Sequence, residues 1–133
     1  MKNRKQILVI DDESFLRRLL NYVFEREGFI VHVADNGYDG LELARKIKPD
    51  LIFTDLDMPR KDGFQVCREI RKDEALKDVY IIILTGRGKL KDAEKGVACG
   101  ANEYIVKPFH PEKVIRRVKE ILNSRVKESV PSA

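Results

Sequence analysis

The sequence predicts an open α/β fold with a parallel sheet, and three observations carry that prediction. Short runs rich in β-branched residues alternate with longer segments of helical period, the signature of repeated βαβ units. Two of the short runs, 7–10 and 81–84, are continuously apolar, as strands covered by helices on both faces must be. The residues with useful chemistry fall at the carboxyl ends of the short runs, the edge at which open α/β sheets bind their ligands.

Each element has its own signal. Strands are expected over 6–10, 30–34, 51–54, 79–84 and 103–106. Five helical stretches separate or follow them. Ser14 opens the first, whose Leu16, Leu19, Leu20, Val23 and Phe24 recur at helical spacing before Gly28 ends it. Leu41, Ala44 and Ile47 mark the second, which stops before Pro49. Val66, Cys67 and Ile70 mark the third, and Leu90, Ala93 and Val97 the fourth, closed by Gly100. Pro111 opens the fifth at a position that suits proline, with Val114, Ile115, Val118, Ile121 and Leu122 on its inner face. Past Asn123 the sequence turns polar, so residues 1–123 are expected to form one domain and 124–133 a flexible tail.

Composition narrows the functional classes. The 133 residues fit one domain, with 43% hydrophobic and 36% charged residues, the latter above the roughly 25% of ordinary domains. The net charge is +4, but cations interleave with acids, as in Arg68-Glu69-Ile70-Arg71-Lys72-Asp73-Glu74. No basic stripe with aromatics appears, so direct nucleic-acid binding is not expected. No apolar run approaches the roughly 20 residues of a membrane span, and the basic start is followed by too short an apolar run for a signal peptide. A cytoplasmic location is therefore expected. Cys67 and Cys99 are too few for a disulfide framework or zinc site and read as small buried hydrophobes.

The strand ends gather a distinctive set. Asp11 and Asp12 follow the first strand, Asp55 the third, Thr85 the fourth and Lys107 the fifth. One aspartate after a strand is ordinarily a turn former or helix cap; acids, a hydroxyl and an ammonium at four strand ends ask for a shared purpose. Gathered carboxylates repel unless a hard cation joins them, and few carboxylate ligands suit Mg²⁺. With a lysine, such a cation neutralises the oxygens of a transferring phosphoryl group, which is most of what that reaction needs.

At these residues the sequence resembles the receiver domains of bacterial two-component response regulators. The matching segments are Ile7-Leu8-Val9-Ile10-Asp11-Asp12-Glu13, Leu51-Ile52-Phe53-Thr54-Asp55-Leu56-Asp57-Met58-Pro59, Asp62-Gly63, Ile83-Leu84-Thr85-Gly86 and Tyr104-Ile105-Val106-Lys107-Pro108-Phe109. The resemblance implies a flavodoxin-like three-layer sandwich, its parallel five-stranded sheet in the order 2-1-3-4-5 with five helices. It also implies a signalling switch, not a turnover enzyme, with Asp55 as nucleophile and phosphoacceptor. Asp12 and Asp55 would bind Mg²⁺ through side chains, Asp57 through its backbone carbonyl and Asp11 mainly through water. Lys107 and Thr85 would each bind a phosphoryl oxygen, the Lys107–Pro108 peptide would be cis, and Tyr104 would turn inward when Thr85 moves. The family pattern does not fix Asp57 and Arg87, each two residues beyond a site residue; they would either pair across the mouth of the pocket and lengthen the life of the phosphorylated state, or both point into water. The phosphoryl donor would be a sensor histidine kinase or phosphotransfer protein. With no output domain after Leu122, the signal would pass to a separate protein, unless the chain is a piece of a longer regulator. Phe15 and Leu16 are candidates for partner docking, with ordinary core as the alternative for Leu16.

A second likeness competes. Asp55-Leu56-Asp57 after an apolar strand is similar to the opening of haloacid-dehalogenase phosphatases, with one acid as nucleophile and the next as general acid. That family carries the motif on its first strand, and the reading leaves Asp11 and Asp12 without a role.

Overall fold

The computed structural model describes residues 4–86 and 99–129, with side chains described as far as residue 123. Strand β1 (Gln6–Ile10) leads into helix α1 (Ser14–Arg26), then β2 (Ile30–Ala34), α2 (Gly37–Ile47), β3 (Leu51–Asp55), α3 (Gly63–Lys72), β4 (Tyr80–Gly86), β5 (Glu103–Lys107) and α4 (Pro111–Ser129). All strand pairs are parallel, and their order is β2-β1-β3-β4-β5.

Strand period divides the core into two layers. Leu8, Ile10, Ile52, Ile81 and Ile83 face α2 and α3, packing on Leu41, Ala44, Val66, Cys67 and Ile70. Their neighbours Ile7, Val9, Leu51, Phe53, Ile82 and Leu84 face α1 and α4, packing on Leu16, Leu20, Phe24, Val114, Val118, Ile121 and Leu122. Residues 7–10 are each 0% exposed, so every branched side chain of β1 contributes about 1.5–3 kcal/mol of burial. Phe24 ties layer to sheet, stacking on Phe53 at 5.7 Å between ring centroids and meeting the edge of Phe29. Lys119 of α4 pairs with Glu27 just past α1.

Several expectations are adjusted. In α1 the buried stripe is Leu16, Leu20 and Phe24, while Leu19 and Val23 are only partly buried. The i, i+4, i+8 row, not the i, i+3, i+4 cluster, points at the sheet. Strands β3, β4 and β5 run one or two residues further than expected, so Asp55 and Lys107 are the last residues of their strands and Thr85 is the penultimate one. The C-terminal helix runs through Ser129, past the point at which the sequence turns polar; polarity alone does not stop a helix. Four helices are present among the described residues; the stretch marked by Leu90, Ala93 and Val97 lies outside them.

Candidate functional site

With β1 central, the chain leaves it towards β2 on one side and reaches β3 on the other, so strand order reverses between β1 and β3. The crevice opens there, beyond the strands' carboxyl ends. Asp11 prolongs the ladder by donating its N–H to the Ala34 carbonyl at 3.1 Å. Its side chain is 0% exposed and accepts the Glu13 N–H at 2.9 Å. Asp12, the next residue, is exposed. Arg17, one turn into α1, donates to the Asp11 carbonyl at 2.8 Å and fixes the bend.

Asp55 is held from both sides. It lies in register with Leu84 on β4, and the next residue, Leu56, donates its N–H to the Leu84 carbonyl at 3.1 Å. On the other side α3 begins with Gly63, whose N–H bonds the Leu56 carbonyl at 2.9 Å. A Cβ at Gly63 would stand 2.4 Å from the Asp55 carbonyl oxygen, which no side chain tolerates. Asp62 and Gln65 close a reciprocal capping box that starts α3 at this point. On β4, Thr85 is 1% exposed and donates its hydroxyl to the Gly86 carbonyl at 3.3 Å. From β5, Lys107 crosses to the acids: its ammonium is 3.2 Å from Asp11 Oδ2, 3.2 Å from Asp55 Oδ1 and 3.6 Å from Glu13 Oε1. The peptide bond from Lys107 to Pro108 is cis.

Burial and crowding set the protonation of this group. Asp55 is raised to about 6, first by loss of water and then by the Asp11 charge, with Lys107 pulling the other way. Burial also raises Asp11, against the Glu13 N–H and Lys107. Lys107 rises because Asp11 and Asp55 outweigh the burial that would lower it. One ammonium thus faces two buried carboxylates and leaves a negative excess. Oxygens of Asp11, Asp12 and Asp55 lie within 4.8 Å of one another, two of these acids buried and one exposed. An all-oxygen, under-neutralised donor set open on the Asp12 side fits Mg²⁺, which keeps part of its water shell.

The crevice thus brings together Asp11, Asp12, Asp55 and Lys107, with Thr85 buried on the adjoining strand. Asp57 is exposed on the loop after β3, and its carboxylate is not one of the three that converge. Tyr104 is half-buried against the core layer of α2 and α3. Leu16 is core at 6% exposure, whereas Phe15 stands 66% exposed beside the acidic pair. Arg87 lies outside the described residues, so its pairing with Asp57 does too. Sequence reasoning missed Glu13 as a third acidic neighbour of Lys107; the unbroken Asp11-Asp12-Glu13 run was the available signal.

The comparisons with known proteins agree with this geometry. The model of the response regulator receiver domain matches residues 7–119. The transcriptional regulatory protein ResD of Bacillus subtilis is 42% identical over 120 residues, which are 90% of this chain and 49% of that protein. The DNA-binding dual master transcriptional regulator RpaA of Synechocystis is 38% identical over 128 residues, 96% of this chain and 52% of that protein. The chain therefore spans about half the length of the curated relatives it matches. A putative response regulator from Chloroflexus aurantiacus superposes with a TM-score of 0.85 at 31% identity, covering 91% of this chain and 99% of its own. The chemotaxis response regulator CheY4 of Vibrio cholerae gives 0.84 at 28%, covering 90% and 99%. The haloacid-dehalogenase likeness falls, because Asp55-Leu56-Asp57 follows the third strand of a 2-1-3-4-5 sheet and Asp11 and Asp12 share its site. By its strand order, its acid-and-lysine crevice and the match over residues 7–119, the chain belongs to the response regulator receiver domain family.

Proposed function

We propose that the chain is a phosphoacceptor switch, taking a phosphoryl group onto Asp55 from the phosphohistidine of a sensor kinase or phosphotransfer protein. The observation that carries this reading is the Asp55 carboxylate itself. It is 7% exposed, at the crevice, with Lys107 at 3.2 Å and the oxygens of Asp11 and Asp12 within 4.8 Å. An Asp55 oxygen attacks phosphorus as the donor's phosphorus–nitrogen bond breaks, and the imidazole leaves with the electron pair. Lys107 moves from carboxylate to phosphoryl oxygen, and Thr85 turns its hydroxyl from the Gly86 carbonyl to a second one. Asp12, Asp55 and the Asp57 carbonyl would hold Mg²⁺, with Asp11 acting mainly through water. When bound, the ion neutralises charge on the acids and on the phosphoryl oxygens. Tyr104, on the same strand as Lys107, follows Thr85 inward.

The switch then acts on a separate output protein, or on a segment joined to it as in full-length transcriptional relatives, and it works in the cytoplasm. The described residues hold no helix long and apolar enough to cross a membrane. Incubation with acetyl phosphate and Mg²⁺ should add one phosphoryl mass to the chain and none to Asp55→Asn. Full labelling of that variant would overturn the assignment.

A further inference from the structure

Helix α3 is fastened twice to the turn that leads into β5. One fastening is Arg71, whose guanidinium donates to the Gly100 carbonyl at 2.8 Å, the Lys77 carbonyl at 2.8 Å, the Val79 carbonyl at 2.7 Å and Asn102 Oδ1 at 2.7 Å. The other lies one helical turn earlier on the same face. There Cys67, 0% exposed, is hydrogen-bonded to Cys99, 4% exposed, which immediately precedes Gly100. Both thiols are free, and the crevice chemistry uses neither. Both sulfurs belong to the same core layer, the one against α2 and α3. The turn that follows Cys99 is already held in place by Arg71.

The contact is polarised. The two thiols act on each other: their contact disfavours loss of the proton from Cys67 and favours it at Cys99. The Cys99 thiol is lowered to about 7 by that bond, against burial and with help from the Ala101 backbone and Arg68. One thiol is thus prepared to attack and the other to follow.

We propose that Cys67 and Cys99 are a two-electron oxidation site, closed to an intramolecular disulfide by a hydroperoxide, which welds α3 to the entry of β5. The Cys99 thiolate attacks one peroxide oxygen and the O–O bond breaks, giving a sulfenic acid and, from hydrogen peroxide, hydroxide. The Cys67 sulfur then gives up its proton and attacks the Cys99 sulfur, and the sulfenic oxygen leaves as water. Two thiols and one hydrogen peroxide give one disulfide and two waters. The site does not depend on phosphorylation of Asp55.

The test is a peptide map of the reduced chain after hydrogen peroxide, with free thiols alkylated under denaturing conditions. The expected result is an intact mass lower by two hydrogens with no alkyl group added, and one cross-linked peptide holding both cysteines, separated by dithiothreitol. The oxidised form should melt roughly 5–15 °C above the reduced form, since the bridge restricts the unfolded chain. Cys67→Ala, which keeps the buried site apolar, should leave Cys99 oxidised without an intramolecular bridge. Two fully alkylatable thiols after oxidant, or parent chains joined only to one another, would overturn the proposal.

Discussion

The Lys107 ammonium lies 3.2 Å from Asp55 Oδ1, joining residues 52 positions apart in sequence at the ends of two strands that are not neighbours in the sheet. Between them stands β4 with Thr85, so the lysine reaches over a whole strand. Lys107→Met should leave Asp11 and Asp55 facing each other without a counter-charge. We expect a loss of about 1–3 kcal/mol in urea unfolding at pH 7.5 without divalent ions, less than for a fully buried pair because the acids can take up protons. Phosphorylation-dependent partner binding should fall as well, and a variant as stable and as responsive as the parent would contradict both roles.

Asp55→Asn tests the electrostatics apart from the chemistry. Asp55 is raised to about 6 in the fold, against roughly 3.9 in an unfolded chain. The folded state therefore holds the proton more tightly. Its contribution is fully present below about pH 4 and lost as pH rises through about 6. In metal-free buffer at pH 8 the amide should stabilise the protein by about 1–3 kcal/mol, and at pH 4 by little. Saturating Mg²⁺ should remove the advantage, because the ion supplies the charge that the parent lacks. Unfolding curves at both pH values, with and without the ion, read all four states.

Asp12 is the exposed acid of the cluster and makes no core contact. Asp12→Ala should weaken Mg²⁺ binding at least tenfold by titration and slow labelling by acetyl phosphate. Unfolding free energy should change by no more than about 0.5 kcal/mol. A large loss of stability would mean that Asp12 is structural.

Gly63 is where α3 touches the backbone of Asp55, with room for no Cβ. Gly63→Ala should cost about 2–4 kcal/mol by forcing the helix start away from β3. Labelling of Asp55 should slow even at temperatures where the variant is fully folded, since the carbonyl pushed aside belongs to the proposed phosphoacceptor.

Thr85→Ala removes a hydroxyl that, among the described residues, bonds the neighbouring Gly86 carbonyl. Stability should change by about 1 kcal/mol or less. Phosphorylated Thr85→Ala should show incomplete partner binding, because a bond formed only after transfer is missing. Normal binding would remove Thr85 from the switch.

Much of this was legible because parallel strands between two helical layers leave little freedom. The 7–10 and 81–84 runs could be buried only on both faces, and polar residues ending such runs could face only the crevice. Pairwise depth was not legible. Asp11 and Asp12 are adjacent and alike in sequence, yet β1's alternation buries the first completely and leaves the second in water. Leu16 gave an even choice between core and surface until the angle of α1 on the sheet was known. Contacts between distant elements left no periodic trace. The four bonds of Arg71, the Cys67–Cys99 contact and the link from Tyr80 through Glu103 to Arg117 come from residues with no local pattern.

The pair formed by Lys107 and Asp11 spans 96 positions, from the end of β1 to the end of β5. During synthesis at the ribosome β1 emerges early, but it waits for β3, and its acids wait longer still for their counter-ion. A nascent chain lacking β5 holds Asp11 and Asp55 against each other with no cation. It also leaves β4, whose residues 81–84 are wholly apolar, as an uncovered sheet edge, a surface prone to association. Neutralising the crevice and covering that edge both require β5. Premature stops before residue 107 should therefore yield insoluble chains, not weakened switches, and chaperone demand should peak while that last strand is still in the exit tunnel.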